Sequence, residues 1–153
     1  MINKNAERIK KITICSSASF YKQALGLEKK LLKMGYKVAT PYTAREMGKT
    51  GNFDVSSYKT WLKDASTYKR KTSLMRNHFR KVTTSDAILV VNFKKNDIEG
   101  YLGGNTLMEM AVAFYLKKPI FILNDVSKDF LLYEEIIGVN PVILNGDLSL
   151  ISF

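Results

Sequence analysis

Apolar residues along this chain alternate between two spacings, and the changes of spacing mark its elements. Residues 11–15, Lys-Ile-Thr-Ile-Cys, form a short apolar run after a charged leader and predict a buried strand. Phe20, Ala24, Leu27, Leu31 and Met34 then recur at helical spacing, and Gly35 stands where a glycine closing a helix belongs. Residues 36–39 predict a second strand, ended by Pro41. Strand, helix and strand within about 30 residues make a βαβ unit. Residues 42–57 follow neither period and contain two glycines, which predicts a loop or lid. Residues 58–84 predict helix, in one or two pieces, with Met75, Phe79 and Val82 as an apolar stripe and Lys69, Arg70, Lys71, Arg76, Arg80 and Lys81 on the other faces.

Residues 86–91, Asp-Ala-Ile-Leu-Val-Val, are apolar enough for a strand buried on both faces. A polar loop over 92–104 leads into a helix over 105–116. Residues 119–123 predict a fourth strand, 128–138 a short helix closed by Gly138, and 141–144 a fifth strand. The pattern predicts one α/β domain over residues 1–153: a small doubly wound, flavodoxin-like or Rossmann-like parallel sheet of five strands, with helices on both faces. Strand order 2-1-3-4-5 fits such a chain. Ligands bind in these sheets beyond the strand C-termini, where the order reverses, so residues 16–20 and 92–109 should meet there.

Hydrophobic residues at 46% and charged residues at 25% are ordinary for a globular domain and add nothing to that picture. Charge does. Residues 1–100 hold 21 Lys/Arg against 8 Asp/Glu, whereas 101–153 hold 3 against 6. A positive field of this kind attracts phosphorylated ligands or nucleic acid, and it also fits a plain lysine-rich surface. No apolar run is long enough to span a bilayer, and residues 1–11 lack the apolar core of a secretory signal. The single cysteine, Cys15, has no internal partner, so the expected compartment is the reducing cytoplasm and the expected role of Cys15 is a small apolar side chain.

The chemistry concentrates in residues 103–109, Gly-Gly-Asn-Thr-Leu-Met-Glu. Gly103 and Gly104 allow a ligand close to the backbone. Asn105, or Thr106, suits a helix N-cap, and the unpaired N–H groups of a first turn favour an anion. Glu109 falls about one turn in, where the helix N-terminus should hold it ionised. An ionised carboxylate in a sugar cleft can act as a nucleophile and form a glycosyl ester. The glycine pair is neither a Walker loop nor a dinucleotide-binding Gly-x-Gly-x-x-Gly.

With residues 15–20 (Cys-Ser-Ser-Ala-Ser-Phe) and the strand over 85–92, this loop and helix resemble the nucleoside 2-deoxyribosyltransferase superfamily, which includes deoxynucleoside-monophosphate N-glycosidases. The resemblance spans roughly residues 10–145. It implies a flavodoxin-like fold, cleavage or exchange of the N-glycosidic bond of (deoxy)nucleosides or their monophosphates, and no cofactor or metal. It also implies a homo-oligomer in which C-terminal residues complete a neighbour's site, here Asn145 or Asp147. The family's nucleophilic glutamate falls on Glu109. Ser16, Ser17, Ser19, Phe20, Tyr42, Asn92, Gly103, Gly104 and Asn105 would line the substrate site. Two positions depart from the pattern: His78 stands where the transferases carry an aspartate, and Gly103 where an acid is common. A histidine there can hydrogen-bond the ribose, donate a proton to the leaving base, or meet a phosphate when charged.

Arg76 and Arg80, beside His78 in sequence, are candidate phosphate ligands, and Arg45 with Tyr42 can close over the pocket. Two rival functions remain on sequence alone. One is a nucleotide-binding sensor without turnover, motivated by the His78 departure. The other, less favoured, is a nucleic-acid-binding protein, motivated by the basic first 100 residues and by Tyr58, Trp61 and Tyr68 between lysines.

Overall fold

The computed structural model describes residues 7–153, so most of the polar leader over residues 1–11 lies outside the described residues. Five parallel strands, β1 (Lys11–Ser16), β2 (Lys37–Ala39), β3 (Ala87–Val91), β4 (Ile120–Ile122) and β5 (Val142–Ile143), form one sheet in the order β2-β1-β3-β4-β5. The helices are α1 (Tyr21–Lys33), α2 (Tyr42–Thr50), α3 (Tyr68–Thr83), α4 (Gly104–Tyr115) and α5 (Tyr133–Gly138). The expected doubly wound α/β fold and strand order are therefore correct.

Alternation along the strands builds the two cores. Ile12 and Ile14 of β1, with Ala87, Leu89 and Val91 of β3, face Ala24, Leu27 and Leu31 of α1. Cys15, Ile88 and Val90 point the other way, to Val82 of α3, Met110 and Ala113 of α4, and Ile136 of α5. Every residue of β3 is buried, as a central strand covered on both faces requires.

Residues 42–57 are not the expected loop. Their first nine form α2, ended by Gly51 at φ +70°. Gly48 hid the helix from sequence reading. A Cβ at that position would sit 2.9 Å from Leu25 Cδ1, so the glycine lets α2 close on α1. Arg45, expected to close over the pocket, instead pairs with the buried Glu28 of α1 at 2.6 Å. Short 3-10 turns at Val55–Ser57, Thr60–Leu62 and Ala65–Thr67 precede α3 in place of a first helical piece. Gly138 ends α5 without positive φ, and Asn140 at φ +55° makes the left-handed turn expected of it.

The loop after β3 is anchored by Asn92. Its side-chain amide donates to the carbonyls of Gly100 at 3.3 Å and Asn124 at 2.9 Å, and its Oδ1 accepts from the Asn124 N–H at 2.9 Å. Asn124 returns a bond to the Asn92 carbonyl at 2.8 Å, tying the ends of β3 and β4 together. Gly100 lies beneath this clamp at φ +66°, where a Cβ would come within 2.1 Å of the Asp125 carbonyl oxygen. Gly100→Ala is expected to cost about 3 kcal/mol, from left-handed strain plus the backbone clash, lowering Tm by roughly 6–12 °C. Gly26→Ala, on an exposed turn of α1 with open space around it, is the control and should stabilise slightly. Equal melting temperatures for the two variants would refute the account of the clamp.

Candidate active site

The chain leaves β1 for α1 on one side and crosses to β3 on the other, so a crevice opens beyond the C-terminal ends of these two strands. A cavity of about 280 Å³ occupies it. Ser16, Ser17 and Ala18 follow β1 into its wall, and Tyr21 joins them from the first turn of α1. Pro41, Tyr42, Thr43 and Met47 contribute from the start of α2, and Val55, Tyr58, Lys59 and Trp61 from the turns beyond it. The inner face of α3 supplies Lys71, Leu74, Met75 and His78. Lys95 and Tyr101 reach in from the loop after β3, and α4 adds Gly103, Gly104, Asn105, Thr106 and Glu109.

Helix α4 starts one step earlier than the sequence suggests. Gly103, in extended conformation, is its N-cap, and the cap forms without any side-chain bond. Asn105 is thereby inside the first turn, where its side chain is free for other work. Its Oδ1 accepts from Lys71 Nζ at 3.2 Å, and its Nδ2 donates to Glu109 Oε1 at 3.5 Å. Glu109 falls in the second turn, where the favourable field of the helix N-terminus has faded. Burial decides its state. The side chain is 5% exposed, and loss of water pushes the carboxyl up to about 8. The Cys15 thiol, Lys71 and Asn105 pull in the opposite direction and do not compensate. The expectation of an ionised Glu109 is therefore corrected: at neutral pH the carboxyl is mostly protonated.

His78 reaches the same point from α3, with Nε2 3.7 Å from Glu109 Oε2. Burial lowers its pKa to about 4, Lys81 adds repulsion, and the Ile14 carbonyl acts the other way without reversing the shift. His78 is neutral at neutral pH, so it cannot meet a phosphate as a cation. The Ile14 carbonyl is near enough to oppose the shift, but neither ring nitrogen meets a partner at hydrogen-bond geometry. Cys15 completes the group from β1. Its sulfur and one ligand atom from each of His78 and Glu109 lie within 4.8 Å of one another. Burial first, and then the neighbouring carboxyl, hold the thiol well above its usual pKa. The same two causes raise the Tyr21 hydroxyl.

Several expected site residues lie elsewhere. Phe20 is in the core, edge-on to Phe93 and Tyr101 at 5.7 and 6.4 Å, because the 3-10 turn at Ala18–Phe20 rotates it inward. The same turn leaves Ser19 exposed and off the cavity wall. Asn92 is fully buried in the clamp beneath Gly100. Arg76 and Arg80 are exposed on the outer side of α3. The cavity face of that helix runs through positions 71, 74, 75 and 78, a helical stripe to which 76 and 80 do not belong. Counting back seven from His78 finds Lys71, the cation the sequence reading missed. Lys59 and Lys95 complete a basic rim. Burial and mutual repulsion with Lys71 and Lys95 lower the pKa of Lys59, and burial lowers that of Lys71. Among the described lining residues, Glu109 is the only acid. Trp61 is buried, with Lys71 over its ring at 5.7 Å, so it is no stacking platform for a nucleic acid.

The chain is similar in fold to a 2-deoxyribosyltransferase. That enzyme, from the psychrotolerant bacterium Bacillus psychrosaccharolyticus, shares 17% identity at a TM-score of 0.52, over 80% of this chain and 77% of its own. The sequence matches no family model and no curated protein. The likeness therefore extends to the fold. Asp86 lies at the N-terminal end of the strands, opposite the crevice, accepting the Lys11 N–H at 2.7 Å and pairing with Arg8, so its part is to fix the start of β1. The C-terminal segment is used within the chain: Asp147 caps the turn at Leu148–Leu150, and Leu148 and Ile151 are buried in the α1-side core. Among the described residues, no helix is long and apolar enough to cross a membrane.

Proposed function

We propose that this chain, acting as one domain, breaks or exchanges the N-glycosidic bond of (deoxy)nucleosides and, preferentially, nucleoside monophosphates. The observation that carries this reading is Glu109, a buried carboxyl at the floor of a nucleoside-sized cavity, beyond the strand ends where such folds bind ligands. The 2-deoxyribosyltransferase of similar fold is described as a biocatalyst for nucleoside synthesis, which agrees with the substrate class.

In this mechanism the ionised fraction of Glu109 attacks the anomeric carbon. A C–O bond forms, the N-glycosidic bond breaks, and its electron pair leaves with the base nitrogen, which takes a proton from solvent water. Water or a second base attacks the same carbon and releases the carboxylate. Asn105 bonds the carboxyl on one side, and neutral His78 packs 3.7 Å from its other oxygen without a hydrogen bond; both act as positioning residues. The basic rim favours the monophosphate, since Lys59, Lys71 and Lys95 surround a cavity with one acid.

Incubation with a panel of nucleosides, deoxynucleosides and their 5′-monophosphates, followed by chromatography of free base, tests the reading. Release is expected from at least one monophosphate, and Lys59→Met should reduce the preference for monophosphate over nucleoside about tenfold, the value of a part-exposed charge-assisted bond. Absence of free base from every compound would remove the enzymatic reading. A nucleotide sensor without turnover draws on one observation, the protonated resting state of Glu109. It predicts a thermal shift with nucleotides and no product from the same panel.

A further inference from the structure

Three buried groups of different chemistry point at one another from three elements: the Cys15 thiol from β1, the His78 imidazole from α3 and the Glu109 carboxyl from α4. The arrangement is costly for an apolar core. Both His78 nitrogens are buried without a hydrogen-bond partner, and each such nitrogen sacrifices its bonds to water. Histidine in a core ordinarily bonds a carbonyl or a carboxylate; here the Ile14 carbonyl lies nearby without hydrogen-bond geometry, and Nε2 stands 3.7 Å from Glu109 Oε2. A gap of that size, lined by a sulfur, a nitrogen and an oxygen, is the spacing left between ligands of one ion.

We propose that Cys15, His78 and Glu109 form a binding site for a thiophilic divalent cation of the zinc type. One thiolate, one imidazole and one carboxylate are a donor set for zinc or cobalt, not for calcium or magnesium, which take oxygen ligands. Two anionic ligands balance the ion's charge. Tetrahedral bonds of about 2.0–2.3 Å place neighbouring ligand atoms roughly 3.5 Å apart. The His78–Glu109 pair at 3.7 Å already meets that spacing, and the whole set, within 4.8 Å, reaches it by small side-chain rotations. His78 and Glu109 also line the cavity, so the fourth coordination position faces the pocket and is open to water or a ligand. Three protein ligands with one open position are the pattern of a reactive or regulatory site, not of a closed structural one.

The site shares Glu109 with the proposed glycosyl chemistry, and the two uses exclude each other. A bound ion engages the carboxylate lone pair that would attack the sugar, so metal occupancy silences the nucleophile. The metal site itself stands independently of the glycosyl reading.

Titration of the full, chelator-treated chain with cobalt(II) tests it without any substrate. One equivalent should bind, with thiolate-to-cobalt charge-transfer absorption in the near ultraviolet and the strong visible bands of a tetrahedral ion, and zinc should displace it. Cys15→Ser should abolish the charge-transfer band, and His78→Gln and Glu109→Gln should each weaken binding at least about tenfold, with circular dichroism monitoring the fold. A first equivalent that gives no thiolate band in the unsubstituted chain overturns the proposal. So does equal binding by folded Cys15→Ser or His78→Gln protein. If base release has been detected, zinc should suppress it in parallel with cobalt displacement. If none is detected, the spectrum still decides the metal site.

Discussion

Glu109→Gln is expected to lower base release by roughly a thousandfold or more, with KM for the substrate changing far less. Glutamine keeps the size of the side chain and its bond to Asn105, so the cavity should stay intact. It cannot form the glycosyl ester, and loss of a covalent nucleophile ordinarily removes most of the catalysed rate. The pH profile gives a second, independent reading. With the carboxyl pushed up to about 8 by burial, roughly a tenth of free chains hold the reactive anion at pH 7. The kcat/KM should therefore rise nearly tenfold per pH unit through neutrality and level off above about 8. His78, neutral above about 4, adds no limb in that range. A profile that is flat from pH 6 to 8, or a Gln variant with near-native turnover, would assign the chemistry to another group.

How the carboxyl acquires this state was only partly legible in the sequence. The strands were legible because β3 is an unbroken apolar run and because β1 and α1 switch cleanly from one period to the other. Helix α2 was not, since the glycine that permits its contact with Leu25 looks in sequence like a loop residue. The loop–helix stretch over 103–109 was found from its glycines and its acid, and that placed the crevice correctly. The ionisation of Glu109 was misread, because position along a helix is visible in a sequence whereas burial of the carboxyl away from water is a property of the folded assembly. Arg76 and Arg80 were chosen for nearness to His78 along the chain. Nearness around the helix selects Lys71 instead. Asn92 was read as a ligand-facing amide at a strand end, and its four-bond clamp with Asn124 and Gly100 depends on β4 lying beside β3, which no local pattern reveals.

The same buried pair should make stability depend on pH in a way that separates its two members. Glu109 binds its proton more tightly folded, at about 8, than at its ordinary 4.5. Its contribution is fully present below 4.5 and is lost as pH rises through 8. His78 has the opposite sign. Its folded value of about 4 lies below the ordinary 6.5, so its contribution is present above 6.5 and is lost as pH falls through 4. Between 4.5 and 6.5 the two slopes oppose and largely cancel. Between 6.5 and 8 only Glu109 acts, and 1.5 pH units correspond to about 2 kcal/mol of lost stability. Cys15 and Tyr21, both shifted upward, titrate beyond this window. Chelator-treated protein should accordingly melt roughly 4–8 °C lower at pH 8 than at pH 6.5. Glu109→Gln carries no titrating proton, so its melting temperature should be nearly level across the same window, overtaking the parent chain as pH rises. His78→Gln should keep the fall above 6.5 and, with the opposing slope gone, extend it down towards 4.5. Parallel curves for the parent chain and Glu109→Gln would mean that the carboxyl is already ionised in the folded state, and would return it to the control of the helix N-terminus and Lys71.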